Sequence, residues 1–218
     1  MNSPLTDVDQ LLGAGRRLDA RGFIAGNDGN LSIRRADGTI LITASGLPKG
    51  LLTPDDIVLV DPEGNRLSGA GRASSESAMH LFVYRMRPEC RACVHSHPPY
   101  ATAAAVAGRA LPEDVLPEVT VFVGPIALTE YAPPGTEAVP GSLAPFIANH
   151  DAFLLRNHGL LTIGRTMDEA LSRHETVEQF ARIYHLAMQA GSVGRIPDSD
   201  LARLRAMRRQ LTESLPPR

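Results

Sequence analysis

The chain has 218 residues, 43% of them hydrophobic and 5% aromatic with no tryptophan, so it can bury a sizeable core of Leu, Val, Ile and Ala. Its 22 basic and 24 acidic residues nearly cancel, and no basic stripe interleaved with aromatics tracks a phosphate backbone, which argues against nucleic acid as a partner. The N-terminal MNSPLTDVDQLLGAG has no basic-then-apolar leader, and no stretch nears the roughly 20 apolar residues that span a bilayer. No membrane partner and a cytoplasmic location are therefore expected.

In chain order, Leu5, Val8, Leu11, Leu12 and Leu18 recur at helical spacing and Gly22 closes the segment. NLSIRR and TILITAS are β-branched runs joined by Asp37-Gly38, a strong hairpin signal. DIVLVD predicts a further strand ending at the turn Pro62 to Asn65. A helix follows in SSESAMHLFVYRMR, with Ser74 or Ser75 as its N-cap. RACVHSH reads as a strand, and Pro98-Pro99 suit the first turn of a helix through YATAAAVAG. VTVFVG and IALTEY read as strands, and the run 135–150 as helical in its second half. AFLLRNHGLLTIG reads as strand, turn at Asn157-His158-Gly159, and strand. The long segment from TMDEA is a helix with Thr166 as cap and Glu169 three residues on. Residues beyond about 192 form a polar, Arg-rich tail with helical potential. The chain thus predicts one α/β domain over 1–218, with a mainly antiparallel sheet flanked by helices and a core from about 8 to 190.

Cys90 and Cys93 form a C-x-x-C, but no second pair completes a zinc ribbon, and the pair leads into a strand instead of opening a helix. Both read as buried thiols. Lys49 is the single lysine and lies in a Pro/Gly loop, where solvation is expected.

On a strand His95 and His97 project from one face, with Ser96 on the other. Two imidazoles are two ligands short of a closed tetrahedral site. His158, in a tight turn between two apolar strands, is the best third donor, although a turn histidine taken alone reads as solvated. Glu76 opens a helix after GAGRASS, where free backbone amides and the helix dipole suit an anion such as phosphate. In isolation the same segment is an ordinary serine cap with a first-turn glutamate. His80, four residues on, reads as structural; His150, His174 and His185 have no assignable partners. GNDGNLSIR and ITASGLPKG place glycines at strand boundaries, where a backbone can approach a ligand or merely turn.

Taken in order, GNLSIR, LITASGL, SSE, HSHPPYATA, LLRNHGLLTIG and TMDEA resemble the class II aldolase/adducin family, most of all its fuculose-1-phosphate aldolase branch, from about residue 8 to 190. The resemblance implies a homotetramer with active sites at subunit interfaces. It implies a divalent metal, usually zinc, with manganese, cobalt or magnesium as alternatives, on His95, His97 and His158. Glu76 would be both a ligand and the catalytic acid/base, and Asn30, Ser45, Gly46, Ser74 and Ser75 would bind the phosphate of a sugar substrate. Carbon–carbon cleavage beside a carbonyl leaves an enediolate, whose charge a Lewis acid stabilises. A Schiff-base route would need a desolvated lysine, which Lys49 in its loop does not offer.

Phe122 stands nearest to the position at which that branch carries a proton-donating tyrosine, leaving Tyr131, Tyr184 or a bound water for the task. Thr120 lies where related epimerases have an aspartate, which argues against epimerisation. Three readings follow. The first is an aldolase releasing dihydroxyacetone phosphate and an aldehyde from a ketose 1-phosphate, such as fuculose 1-phosphate or a 5-deoxy-pentulose 1-phosphate. The second is a sugar-phosphate decarboxylase or dehydratase on the same site, and the last, given the retained histidines, a non-catalytic adducin-like scaffold.

Overall fold

A computed structural model describes residues 5–213; residues 1–4, from the N-terminal stretch read above for a leader, and 214–218 of the expected tail lie outside the described residues. Helix α1 (Asp7–Ala20) is capped by Thr6, whose hydroxyl accepts from the Asp9 amide while the Asp9 carboxylate takes the Thr6 amide, and it buries Leu11, Leu12 and Leu18. Strands β1 (Asn30–Arg34) and β2 (Ile40–Thr43) form the expected hairpin, with the Asp37 carboxylate accepting from the Thr39 amide at 3.0 Å. Next come β3 (Ile57–Val60), β4 (Arg66–Ser68), α2 (Ser77–Met86), β5 (Ala92–Ser96) and α3 (Pro99–Val106). The chain continues through β6 (Ile126–Leu128), α4 (Ala138–Leu143), β7 (Ala152–Leu155), β8 (Gly159–Gly164), α5 (Met167–Ala190) and α6 (Asp198–Glu213).

The eight strands form one sheet in the order β4-β3-β2-β1-β5-β8-β7-β6, antiparallel throughout except for the parallel pair β6–β7. Apolar side chains alternate to its two faces. Ile42, Val58, Cys93, Phe153, Leu161 and Ile163 pack with Met79 and Val83 of α2 and Val139 and Leu143 of α4. Leu31, Ile33, Ala92 and Val94 pack under α1 and the start of α5, and Leu154 and Leu160 under α3 and the middle of α5. The central strands β1, β5 and β8 are thereby covered on both sides.

Five readings are corrected or extended. The run 135–150 is helical mainly in its first half, at α4, with turns over 144–149. VTVFVG is a π-helical turn, Val119–Val123, not a strand. Its β-branched run favours extension locally, yet Val119 and Val123 are wholly buried, Thr120 Oγ1 donates to the Glu113 carbonyl at 2.6 Å, and Arg173 Nε donates to the Phe122 carbonyl. The polar tail is part of the fold: α6 lies against this turn, Leu201 is buried, and Arg208 donates to Asp151 at 2.7 Å. Strand β4 was not foreseen, since its three residues are all exposed and show no apolar alternation. Lys49 is not solvated: it is 2% exposed, and its Nζ donates to the carbonyls of Asn27 and Leu47. Burial pushes its pKa down.

Candidate metal centre

Strand β5 lies between β1 and β8, so His95 sits opposite Asn30 on one side and Leu161 on the other. The strand ends at Ser96, and His97 follows before Pro98 and Pro99 turn the chain into α3. His158 occupies the tight turn from β7 to β8, just after Asn157 takes a positive φ of 55°. Because β8 pairs with β5, that turn is brought over the end of β5. The three imidazoles face one another with ring centroids 4.7 to 5.1 Å apart, and one nitrogen of each lies within 4.8 Å of the others.

Hydrogen bonds at the far side of two rings fix which nitrogen faces inward. His95 Nδ1 donates to the Leu160 carbonyl at 2.9 Å, and His97 Nδ1 donates to Asp28 Oδ2 at 3.2 Å. Both Nε2 atoms are therefore bare and point into the cluster. Burial pushes His158 down to about 4, and burial beside the His95 imidazole also lowers His97, so these rings are neutral at pH 7.

Glu76 completes the group. The expected serine cap is corrected here: α2 begins at Ser77, Glu76 itself takes the N-cap position, and Ser74 Oγ accepts from the Glu76 amide at 3.2 Å. The glutamate is thus turned across the sheet end instead of along the helix. Its Oε2 lies 3.3 Å from His95 Nε2 and its Oε1 3.2 Å from His158 Nε2, while Asn30 Nδ2 donates to Oε2 at 2.8 Å. Burial alone would raise the carboxyl, but the imidazoles of His95 and His158 beside it and the bond from Asn30 outweigh it and hold Glu76 well below the usual carboxylate range.

Glu76 Oε1, His95 Nε2 and His97 Nε2 are buried without a hydrogen-bond partner. Each such orphan costs about 1–3 kcal/mol, and two of them belong to the histidine cluster whose ligand nitrogens all lie within 4.8 Å of one another. A divalent cation fits that arrangement: imidazole and carboxylate donors are those of catalytic zinc sites, and such sites keep a position open.

The phosphate-site residues named above fall into two groups. The bridge between Ala44 and Ala73 brings residues 44–46 beside 73–75, and Ser45, Gly46 and Ser75 are exposed there together. Ser45 N is engaged by the Arg72 carbonyl, Ser74 is buried, and the Asn30 side chain is spent on Glu76 and His80. Phe122 and Tyr131 are both exposed, Tyr184 is partly buried against Phe180, and Thr120 is wholly buried. Asp28 escaped the sequence reading, although a carboxylate beside the glycine of GNDGN was the available signal. Gly29, at φ 75°, passes so close to β5 that a Cβ would lie 2.7 Å from the His95 carbonyl oxygen.

A layered α/β scaffold carrying three histidines and a glutamate at the end of its central strands defines a metalloenzyme-type site. The class II aldolase and adducin N-terminal domain family matches residues 9–185, and the chain belongs to it. An L-fuculose phosphate aldolase of Methanococcus vannielii is 33% identical over 84% of this chain and 97% of its own length. A 3-oxo-tetronate 4-phosphate decarboxylase of Haemophilus influenzae is 30% identical over 90% of this chain and 96% of its own. The solved structure of an L-fuculose 1-phosphate aldolase superposes with a TM-score of 0.85 at 30% identity, covering 94% of this chain and 96% of that one. The chain is thus an enzyme of the class II aldolase kind.

Proposed function

We propose that the whole chain acts as one domain, a metal-dependent aldolase that reversibly cleaves a ketose 1-phosphate to dihydroxyacetone phosphate and an aldehyde. The reading rests on the convergence of His95, His97 and His158, whose ligand nitrogens lie within 4.8 Å of one another, with Glu76 3.2–3.3 Å from two of them. In it, His95, His97 and His158 hold the cation with Glu76 as the resting fourth ligand. Zinc is the proposed ion, given three nitrogen donors and one carboxylate. When bound, the cation supplies Lewis acidity to the sugar's carbonyl and neighbouring hydroxyl oxygens.

The chain's own residues do the rest. Asn30 pins Oε2 of Glu76, which leaves Oε1 to take and return the proton at the carbon beside the carbonyl. Ser45, Gly46, Ser74 and Ser75 form the proposed phosphate seat, which Asn30 of β1 would join through its second amide hydrogen, its other bonds being to Glu76 and His80. Holding the phosphate there fixes the distance between the reacting carbon and Glu76. A homotetramer with the site at a subunit boundary would supply the walls that one chain leaves open. A cytoplasmic setting suits the two buried free thiols, Cys90 and Cys93.

The test is condensation. Zinc-loaded protein with dihydroxyacetone phosphate and a panel of short aldehydes should yield a ketose 1-phosphate, and both chelation and His97→Ala should abolish it. The runner-up is a sugar-phosphate decarboxylase or dehydratase on the same site, favoured by Phe122, which has no proton to give a leaving aldehyde. Tight metal binding without condensation would move the assignment there.

A further inference from the structure

A buried chain of polar side chains runs from the interior of the sheet to Glu76, and nothing in the proposed chemistry uses its inner members. Tyr84 OH and Ser32 Oγ are 2.6 Å apart, Ser32 Oγ and His80 Nδ1 2.6 Å, His80 Nε2 and Asn30 Oδ1 2.5 Å, and Asn30 Nδ2 and Glu76 Oε2 2.8 Å. Ser32 and His80 are wholly buried, and Tyr84 and Asn30 nearly so. Four hydrogen bonds in series at such depth cannot each choose a direction independently.

The direction follows from the end. An ionised carboxylate only accepts, so Asn30 must turn its amide nitrogen to Glu76 and its oxygen to His80. His80 must then carry its proton on Nε2, which leaves Nδ1 to accept from the Ser32 hydroxyl. Ser32, having given its one proton, accepts from Tyr84. Every donor points toward Glu76. Reversing any one bond would set two donors or two acceptors face to face in the dry interior, at about 1–3 kcal/mol.

We infer that His80, held as the Nε2–H tautomer with the Ser32 hydroxyl donating to its Nδ1, is a positioning residue that keeps the Asn30 amide turned to Oε2 of Glu76 and so leaves Oε1 free. The inference deepens the proposed function and rests on it for what Oε1 then does. Sequence position had made His80 a merely structural residue on the face of α2. Its place two bonds from the carboxylate gives it a specific task, which any polar residue lacking a donor at that point would fail. Burial pushes His80 down to about 3, so it stays neutral and the assignment holds across the working pH range. Outer residues that orient metal ligands typically contribute on the order of 10–100-fold to metal affinity. His80 sits one step further out, so about tenfold is expected.

The experiment has two arms. In full-length protein labelled with nitrogen-15 at histidine, a long-range proton–nitrogen correlation should show His80 with a protonated Nε2 and a bare Nδ1, before and after zinc is added. Zinc affinity by chelator competition should fall about tenfold in His80→Leu, whereas His80→Gln, whose amide can reach Asn30 as a donor, should stay close to wild type. A proton on Nδ1 in the wild type overturns the inference, even if His80→Leu fails to fold. So does a folded His80→Leu with wild-type zinc affinity, or a folded His80→Gln that binds no better than His80→Leu. Should both arms come out as expected while no sugar phosphate is turned over, the functional reading fails and the positioning role stands. Turnover together with a proton on Nδ1 gives the reverse.

Discussion

Gly159→Ala is the sharpest test of how the centre is packed. Gly159 opens β8 directly after His158, with an ordinary φ, so its reason for being glycine is space. A Cβ there would lie 2.5 Å from His97 Cδ2, 2.7 Å from the Ser96 carbonyl oxygen and 3.2 Å from His95 Cε1. Carbon contacts settle at about 3.5–4.0 Å, so His97 and the end of β5 would each have to move by about 1 Å. Overpacking of this kind costs about 1–3 kcal/mol. For a chain of this size each kcal/mol lowers Tm by about 2–4 °C. The same displacement spreads two of the three imidazoles, and an error of about 1 Å at a reacting group loses on the order of 100-fold in rate. Calorimetry with zinc titration reads both effects. Gly141→Ala is the control, since nothing lies within 4 Å of its Cβ position in α4, and there the change should stabilise by about 0.4–1 kcal/mol. A Gly159→Ala protein that melts with the wild type and takes up zinc equally well would refute the close approach of the two strands.

Acid should unfold the metal-free protein early. His80 and His174 are buried and held at about 3 against a reference of 6.5, so between those values the unfolded chain binds protons that the folded one refuses. Each then removes about 1.4 kcal/mol of stability per pH unit as pH falls below 6.5, and urea melts between pH 6.5 and 5 should give a shallower slope in His174→Gln. Asp151 accepts from Arg87 and Arg208 and pairs with Arg173. Asp151→Ala leaves these guanidinia facing one another and should cost about 3–5 kcal/mol, with hydrogen exchange over 198–213 rising first as α6 loosens. Borohydride added with dihydroxyacetone phosphate should leave the mass of Lys49 peptides unchanged, because its Nζ is committed to two carbonyls; an adduct there would favour a Schiff-base route.

Much of this was legible in the chain because local chemistry and tertiary need agree there. Asp37-Gly38 forms its hairpin, Thr166 caps α5 by accepting from the Glu169 amide, and His95 and His97 converge once a strand carries them. The segment 119–123 misled because β-branched residues report local preference, whereas burial against α5 and α6 decided its shape. Lys49 misled for a related reason: a loop position suggests solvent, yet the 25–28 and 45–48 turns close over it and offer carbonyls. Glu76 was given the wrong pose, since a serine before a helix looks like a cap even when the glutamate occupies that position. The partners of His80 lay beyond reach, because they depend on β-register between segments far apart in sequence.

The position of the donors at the covered centre of the sheet has a further consequence. Strands β1, β5 and β8 are paired on both edges and packed on both faces, so His95 and Asn30 cannot loosen unless the middle of the fold opens. In a zinc finger, folding consumes part of the metal's binding free energy. Here the sheet has already met that requirement, and an ion would encounter a socket set before it arrives. Affinity would then report the chemistry of the donors themselves, with little drawn off to order the chain around them.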